Sequence, residues 1–229
     1  MTIGIIGAMR EEIEPLLSYV KTYEAIEYAG NTFYQAEYNG FTLYIVYSKI
    51  GKVNAALTAT TLIEKFGVEK VIFSGVAGAV NESLKVGDLV LATKLVQHDV
   101  DITAFGHPFG FIPESGDYVD ADPALNSVAK KVADEMGLHL LQGIVATGDQ
   151  FIADEKKKNW IRETYNAAAL EMEGASVAYV CATFGVPFCI LRAISDAADM
   201  DAGFSFDEFL VSSAKESAQF VFKMLDHIQ

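Results

Sequence analysis

Along the chain, short runs of apolar and β-branched residues alternate with longer segments in which apolar side chains recur at helical spacing, the rhythm of an α/β layer fold. The runs predict strands over residues 3–7, 32–38, 41–48, 71–75, 88–93, 142–147, 168–171 and 188–195. Asn39-Gly40 stands between two alternating runs as a hairpin signal, so part of the sheet is expected to be antiparallel. Helical period appears over residues 10–20, with Ile13, Leu16, Leu17 and Val20 on one face, and over 53–66, with Ala56, Leu57, Thr60 and Ile63 on another. A helix over 123–136 has Asp122 as its cap and Gly137 as its stop; one over 173–184 ends at Gly185; one over 206–228 follows the cap candidate Ser205. No linker or repeat interrupts this order, and residues 1–229 are expected to form one domain. Residues 101–117 follow neither period. They mix Gly106, Pro108, Gly110, Pro113 and Gly116 with Phe105, Phe109 and Phe111, the composition of a lid or contact surface.

Composition narrows the function. With 17 Lys and Arg against 31 Asp and Glu, the net charge of −14 repels nucleic acid, and no apolar run is long enough for a membrane helix. The apolar start is short and meets Arg10-Glu11-Glu12 at once, so it reads as a buried strand and not as a signal peptide. Cys181 and Cys189 lie in apolar stretches without redox or zinc spacing, which suits buried thiols in the cytoplasm. His98, His107, His139 and His227 form no ligand pair, so no metal site is expected. Asp199 and Asp201 lack the remaining oxygens of a calcium loop.

In an open α/β sheet the ligand lies beyond the carboxyl ends of the strands. Four such junctions carry chemistry: Gly7-Ala8-Met9-Arg10-Glu11-Glu12, Ser74-Gly75-Val76-Ala77-Gly78, Glu171-Met172-Glu173-Gly174 and Arg192-Ala193-Ile194-Ser195-Asp196. Three bear carboxylates, and Arg192 is the one basic side chain at a strand tip. Glu12 falls in a first helical turn, where backbone N–H groups favour the carboxylate; that suits a base and equally suits plain helix stabilisation. Asp196 follows an apolar strand, where desolvation makes a usable acid, although a loop or cap aspartate would look the same. Glu173 opens a helix and is placed to accept from a vicinal diol, or serves only as a first-turn acid. Ser74-Gly75-Val76-Ala77-Gly78 is not a dinucleotide fingerprint, Ser48-Lys49-Ile50-Gly51-Lys52 is not a phosphate loop, and Lys156-Lys157-Lys158 reads as a solvated helix face.

Together with Asp101-Ile102-Thr103-Ala104-Phe105-Gly106, Thr147-Gly148-Asp149-Gln150-Phe151-Ile152 and Ser205-Phe206-Asp207-Glu208-Phe209, these junctions closely resemble the 5'-methylthioadenosine/S-adenosylhomocysteine nucleosidases along essentially the whole chain. The resemblance implies a three-layer phosphorylase-like α/β fold with a central mixed sheet, a homodimer, and hydrolysis of an N-glycosidic bond without cofactor or metal. It implies Glu12 as the water-activating base, Asp196 as the purine-protonating acid positioned by Ser195, and Arg192 near the attacking water. Glu173 would hold the ribose hydroxyls with Met172 packed on the sugar, next to Glu171. Adenine would stack on Phe151, with its edge read by the Ile152 backbone and Ala77 and Gly78 close by. The 5' tail would enter a pocket of Ala8, Met9, Ile50 and Phe206, closed by Ile102, Phe105 and Pro113 of the partner subunit.

Val76, Gly174 and Gln150 depart from the commonest family pattern and bear on substrate breadth. The Glu171-to-Ser176 and Phe105-to-Pro113 stretches resemble a branch that also cleaves 6-amino-6-deoxyfutalosine in an alternative menaquinone route. Two rivals are a phosphate-dependent nucleoside phosphorylase, which Glu12 opposes by charge, and a non-catalytic adenosine-derivative sensor.

Overall fold

The structure, a computed structural model, describes residues 1–198 and 202–228. In chain order it runs β1 (Thr2–Gly7), α1 (Arg10–Tyr19), β2 (Glu24–Tyr28), β3 (Asn31–Tyr38), β4 (Phe41–Tyr47), α2 (Lys52–Phe66), β5 (Lys70–Ala79), β6 (Leu89–Gln97) and β7 (Tyr118–Asp120). The second half holds α3 (Pro123–Met136), β8 (Leu140–Thr147), α4 (Glu155–Tyr165), β9 (Ala167–Glu171), α5 (Gly174–Phe184), β10 (Phe188–Asp196) and α6 (Ala202–Leu225). One mixed sheet takes the strands in the order β2-β3-β4-β1-β5-β9-β8-β6-β10, with β7 on the side of β6. Because β10 also pairs with β5, the last five strands of that path close on themselves.

Side-chain alternation splits the sheet's two faces into separate cores. Ile3 and Ile5 of β1, Leu43 and Ile45 of β4, and Cys189 and Leu191 of β10 pack with α1, α3 and α6. Ile6, Val46, Phe73, Ile190 and Ile194 face the other way, toward Ala59 and Leu62 of α2 and Val177 and Ala178 of α5. This is an α/β layer arrangement, as the alternating pattern predicts, with the three layers that the resemblance implies. The hairpin at Asn39-Gly40 forms as expected, with Tyr38 opposite Phe41 and both turn residues at positive φ, 49° and 83°.

Several boundaries move. β5 continues to Ala79 through Gly75 and Gly78, and β6 continues to Gln97 past a register shift between Ala92 and Lys94, where polar Thr93 and Lys94 imitate a strand end. β2 is an exposed edge strand and β7 has three residues, so neither buries enough to leave a pattern. The helix α6 begins at Ala202, which puts the cap candidate Ser205 inside it; Asp199 and Asp201 lie outside the described residues. On α2 the fully buried apolar side chains are Ala55, Ala59 and Leu62; of the expected face, Ala56 and Ile63 pack half-buried against the same core and Leu57 does not. Leu57 (49% exposed) and Val53 (79%) point outward. Among the described residues no helix is long and apolar enough to cross a membrane.

Candidate active site

β1, β4, β5 and β10 run parallel, so their carboxyl ends share one edge of the sheet. Antiparallel pairing of β9 with β5 sets Leu170 opposite Gly78, and parallel pairing with β8 sets Glu171 beside Thr147. Thus the four junctions converge on one cavity. It is lined by Ala8, Met9, Glu12, Ile50, Val76, Ala77, Gly78, Phe151, Leu170, Glu171, Met172, Glu173, Ser195, Asp196 and Phe206. Of the expected residues of this chain, Arg192 sits behind the lining and Ile152 packs half-buried against the small apolar cluster that includes Val96, Ala146 and Tyr165. The backbone N–H and C=O of Ile152 form no hydrogen bond among the described residues. Val76, which departs from the commonest family pattern, lines the cavity as its place near the site suggests; Leu170 also lines it, and only its place at a strand end marks that apolar residue.

Glu12 is buried, unlike its neighbours Glu11 and Glu14. Its Oε2 accepts from the N–H groups of Ala8 (2.5 Å) and Met9 (3.0 Å), and its Oε1 accepts from Val76 N–H (2.9 Å) on β5. The carboxylate therefore stabilises the start of its own helix and bridges to the neighbouring strand, as the helix-stabilising reading expects. Burial pushes its proton affinity above that of an ordinary glutamate, against the opposing pull of Arg192 and the three N–H donors. Gly75 makes room for this arrangement: a Cβ there would lie 2.6 Å from Glu12 Oε1 and 2.8 Å from Arg192 Nη1. Gly78 does the same for Asp196, whose Oδ1 would be 2.8 Å away. The two glycines admit the polar side chains at least as much as any ligand.

Arg192 is fully buried with its guanidinium 3.9 Å over the Phe73 ring, and its Nη2 donates to Glu171 Oε2 at 2.6 Å. Nε and Nη1 have no partner among the described residues. Glu171 also accepts from the Thr147 hydroxyl and from the N–H groups of Glu173 (3.1 Å) and Gly174 (2.6 Å). Its lone pairs are well occupied by the protein, which makes it a support for Arg192 and for the start of α5 although it borders the cavity. Gly51 N–H donates to Glu173 Oε1 at 2.8 Å. The α2 N-terminus that carries Gly51 is tied down by Asp149, which accepts from Lys52 N–H (2.8 Å), and by the Lys52–Asp99 ion pair (2.7 Å). One latch thereby fixes both Glu173 and the loop bearing Phe151.

Asp196, also buried, accepts from Ser195 Oγ–H at Oδ2 (2.9 Å) and from Ala198 N–H at Oδ1 (2.9 Å). Phe151 and Phe206 meet edge to face, 5.9 Å between centroids, at the mouth. Ile102, Phe105 and Pro113 do not reach this cavity within the chain; the loop of residues 101–117 presents Phe105 outward, 82% exposed.

Burial and the neighbouring Glu171 carboxylate push Glu173 up to about 8 from 4.5. The folded protein therefore holds a proton there that the unfolded chain releases between those values. Stability is full below about pH 4.5 and falls as pH rises toward about 8, at up to about 1.4 kcal/mol per pH unit for this one group. Thermal unfolding at pH 5 and pH 8 is expected to show a drop that Glu173→Gln reduces; equal drops in both proteins would refute it.

The histidines and cysteines behave as side chains outside the chemistry. His139 and His227 pair with Asp88 and Glu135 at the surface, His98 is buried against Gly148, and both cysteines are buried free thiols pushed up to about 12. The groups facing the cavity are carboxyls, one hydroxyl and backbone amides, equipped for proton transfer to and from a ligand.

Residues 2–226 match the Phosphorylase superfamily, and the chain belongs to that family. The aminodeoxyfutalosine nucleosidase of Campylobacter jejuni is 55% identical over the full length of both chains. Among solved structures, the futalosine hydrolase of Helicobacter pylori superposes with a TM-score of 0.98 at 50% identity, covering 100% of this chain and 98% of that one. So does an Asp-to-Asn variant of the H. pylori 5'-methylthioadenosine/S-adenosylhomocysteine nucleosidase holding 5'-methylthioadenosine in its active site, with a TM-score of 0.98, 51% identity and 99% coverage of each chain.

Proposed function

We propose that the chain hydrolyses the N-glycosidic bond of adenosine derivatives altered at the 5' position: 5'-methylthioadenosine, S-adenosylhomocysteine, 5'-deoxyadenosine and 6-amino-6-deoxyfutalosine. The observation that carries this is the pair of buried carboxyls, Glu12 and Asp196, lining one cavity together with Glu173, which is tied to the α2 N-terminus. Asp196 gives its proton to purine N7, and the C1'–N9 bonding pair leaves with the base. Water adds to the cationic sugar at C1' and passes a proton to Glu12, whose raised basicity suits that task. The unpaired Arg192 Nη1 lies on the Glu12 side of the cavity wall and is the donor available to the water. Glu173 hydrogen-bonds the ribose hydroxyls; Phe151 stacks on adenine, Ile152 offers it free backbone groups, and Met9, Ile50 and Phe206 take the 5' tail.

The phosphorylase alternative fares poorly on charge, because the buried Arg192 is ion-paired with Glu171 and also faces Glu12, which leaves no surplus cation there for a phosphate dianion. Purified protein is expected to release adenine and a free 5'-substituted ribose at the same rate with and without phosphate, followed by chromatography. A strict phosphate requirement with a sugar 1-phosphate product would overturn the reading, and tight binding of unchanged nucleoside would leave the sensor.

The working form is a cytoplasmic homodimer in which Ile102, Phe105 and Pro113 of the partner subunit close the tail pocket. Its support is that Ile50, Val53, Leu57 and Phe105 are large apolar side chains that this chain leaves exposed. Leu57→Asp is expected to yield monomers by light scattering and to lower adenine release at least ~10-fold as the pocket opens. A monomer of undiminished activity would exclude the shared site.

A further inference from the structure

The run Lys156-Lys157-Lys158 has the composition of a solvated helix face, and two of its three members fit that description. Lys157 spreads its ammonium 4.1 Å over the Trp160 ring at the surface. Lys158 differs. From the second turn of α4 its Nζ reaches across to the end of β10 and donates to the Ala197 carbonyl at 3.0 Å.

That carbonyl belongs to the peptide unit whose other end is Ala198 N–H, the donor to Asp196 Oδ1 at 2.9 Å. An ammonium, a peptide dipole and a carboxylate therefore stand in line. Polarisation along such a chain strengthens each bond when charge sits at both ends. The peptide is held in place at a cost, since Ala198 is a non-glycine residue at φ 49°, and it is buried against the space left by Gly78. A backbone kept in that conformation needs partners, and Lys158 supplies one.

We propose that Lys158 is a positioning residue for the acid step, acting through the 197–198 peptide on Asp196. This rests on the reading of Asp196 as the group that protonates the purine. As the proton leaves Asp196 for N7, its carboxyl becomes an anion, and a donor that is polarised by an ammonium stabilises the anion more than the neutral acid. The interaction grows along the reaction coordinate, so its loss falls on kcat and not on KM.

A leaving group that departs unaided separates this role from a general loosening of the fold. Lys158→Met and Lys158→Arg, with Asp196→Asn as reference, are to be assayed on 5'-methylthioadenosine and on the 4-nitrophenyl 5-methylthioriboside, whose phenolate needs no proton. For the nucleoside, Lys158→Met is expected to lower kcat about tenfold with KM within about twofold, as a donor acting only in the transition state does. On the nitrophenyl riboside it should match the parent protein, and Lys158→Arg should recover most of the nucleoside rate. A nucleoside kcat within twofold of the parent, an equal loss on both substrates, or no recovery with arginine would each overturn the proposal. If Asp196→Asn loses both substrates equally, the acid assignment itself fails, an outcome distinct from any result with Lys158.

Discussion

Asp196→Asn is expected to lower the rate of adenine release on the order of 10³-fold, inside the span that positioned general acids contribute. Asparagine keeps an oxygen for Ala198 N–H and fits the same buried space, so the turn and the cavity stay as they are. What it lacks is a transferable proton. Adenine would then have to depart as an anion, and the remaining catalysis would come from Glu12, Glu173 and the binding of the sugar. Substrate affinity should change little, because the amide N–H2 still offers N7 a hydrogen bond. Single-turnover rates combined with equilibrium binding of 5'-methylthioadenosine decide the matter. A variant within tenfold of the parent rate would remove Asp196 from the chemistry, and a large loss of affinity would recast it as a binding residue.

How far the sequence reveals such a site depends on what marks each residue. Glu12 and Asp196 are legible because they follow apolar strands whose parallel pairing brings their carboxyl ends to one edge, and Glu173 because it follows β9, whose end crosses that of β5. The fold's two cores are legible for the same reason: strict alternation along β1, β4 and β10 assigns each side chain to one face. Leu170 is not, since an apolar side chain at a strand end carries no chemical signature. Nor is the work of Glu171, which is read as a cavity residue until the structure shows four protein donors around it, Arg192 among them. On α2 the helical period is satisfied by two overlapping apolar faces, and the sheet buries Ala55, Ala59 and Leu62 at the centre while Ala56 and Ile63 pack at the edge. Lys158 shows the same limit from the polar side. Three lysines in a row look solvated, and only the return of β10 beside α4 gives one of them a carbonyl to hold.

Glu12→Gln tests the opposite side of the reaction and should have a comparable effect, a loss on the order of 10³-fold in turnover, because an amide accepts no proton from water. Its effect on stability separates two opposing contributions. The carboxylate of the parent protein takes three backbone N–H groups with its two oxygens, whereas glutamine has one acceptor and turns an N–H2 toward donors at one end. A buried donor left unsatisfied costs about 1–3 kcal/mol. Against this, glutamine is never charged, and so escapes the desolvation that raises the proton affinity of Glu12. The sign follows from linkage: with its folded value raised above 4.5, parental Glu12 contributes stability that is whole below that pH and declines as pH rises. The glutamine protein lacks this decline. Its deficit relative to the parent is therefore expected to be largest near pH 5 and to shrink toward pH 8, as read by thermal unfolding of both proteins at the two pH values. A deficit that grows with pH would mean that Glu12 is held as a carboxylate more strongly than its burial opposes, with Arg192 and the three N–H donors outweighing desolvation. Retention of more than a tenth of the parent turnover would show that water is activated elsewhere in the cavity.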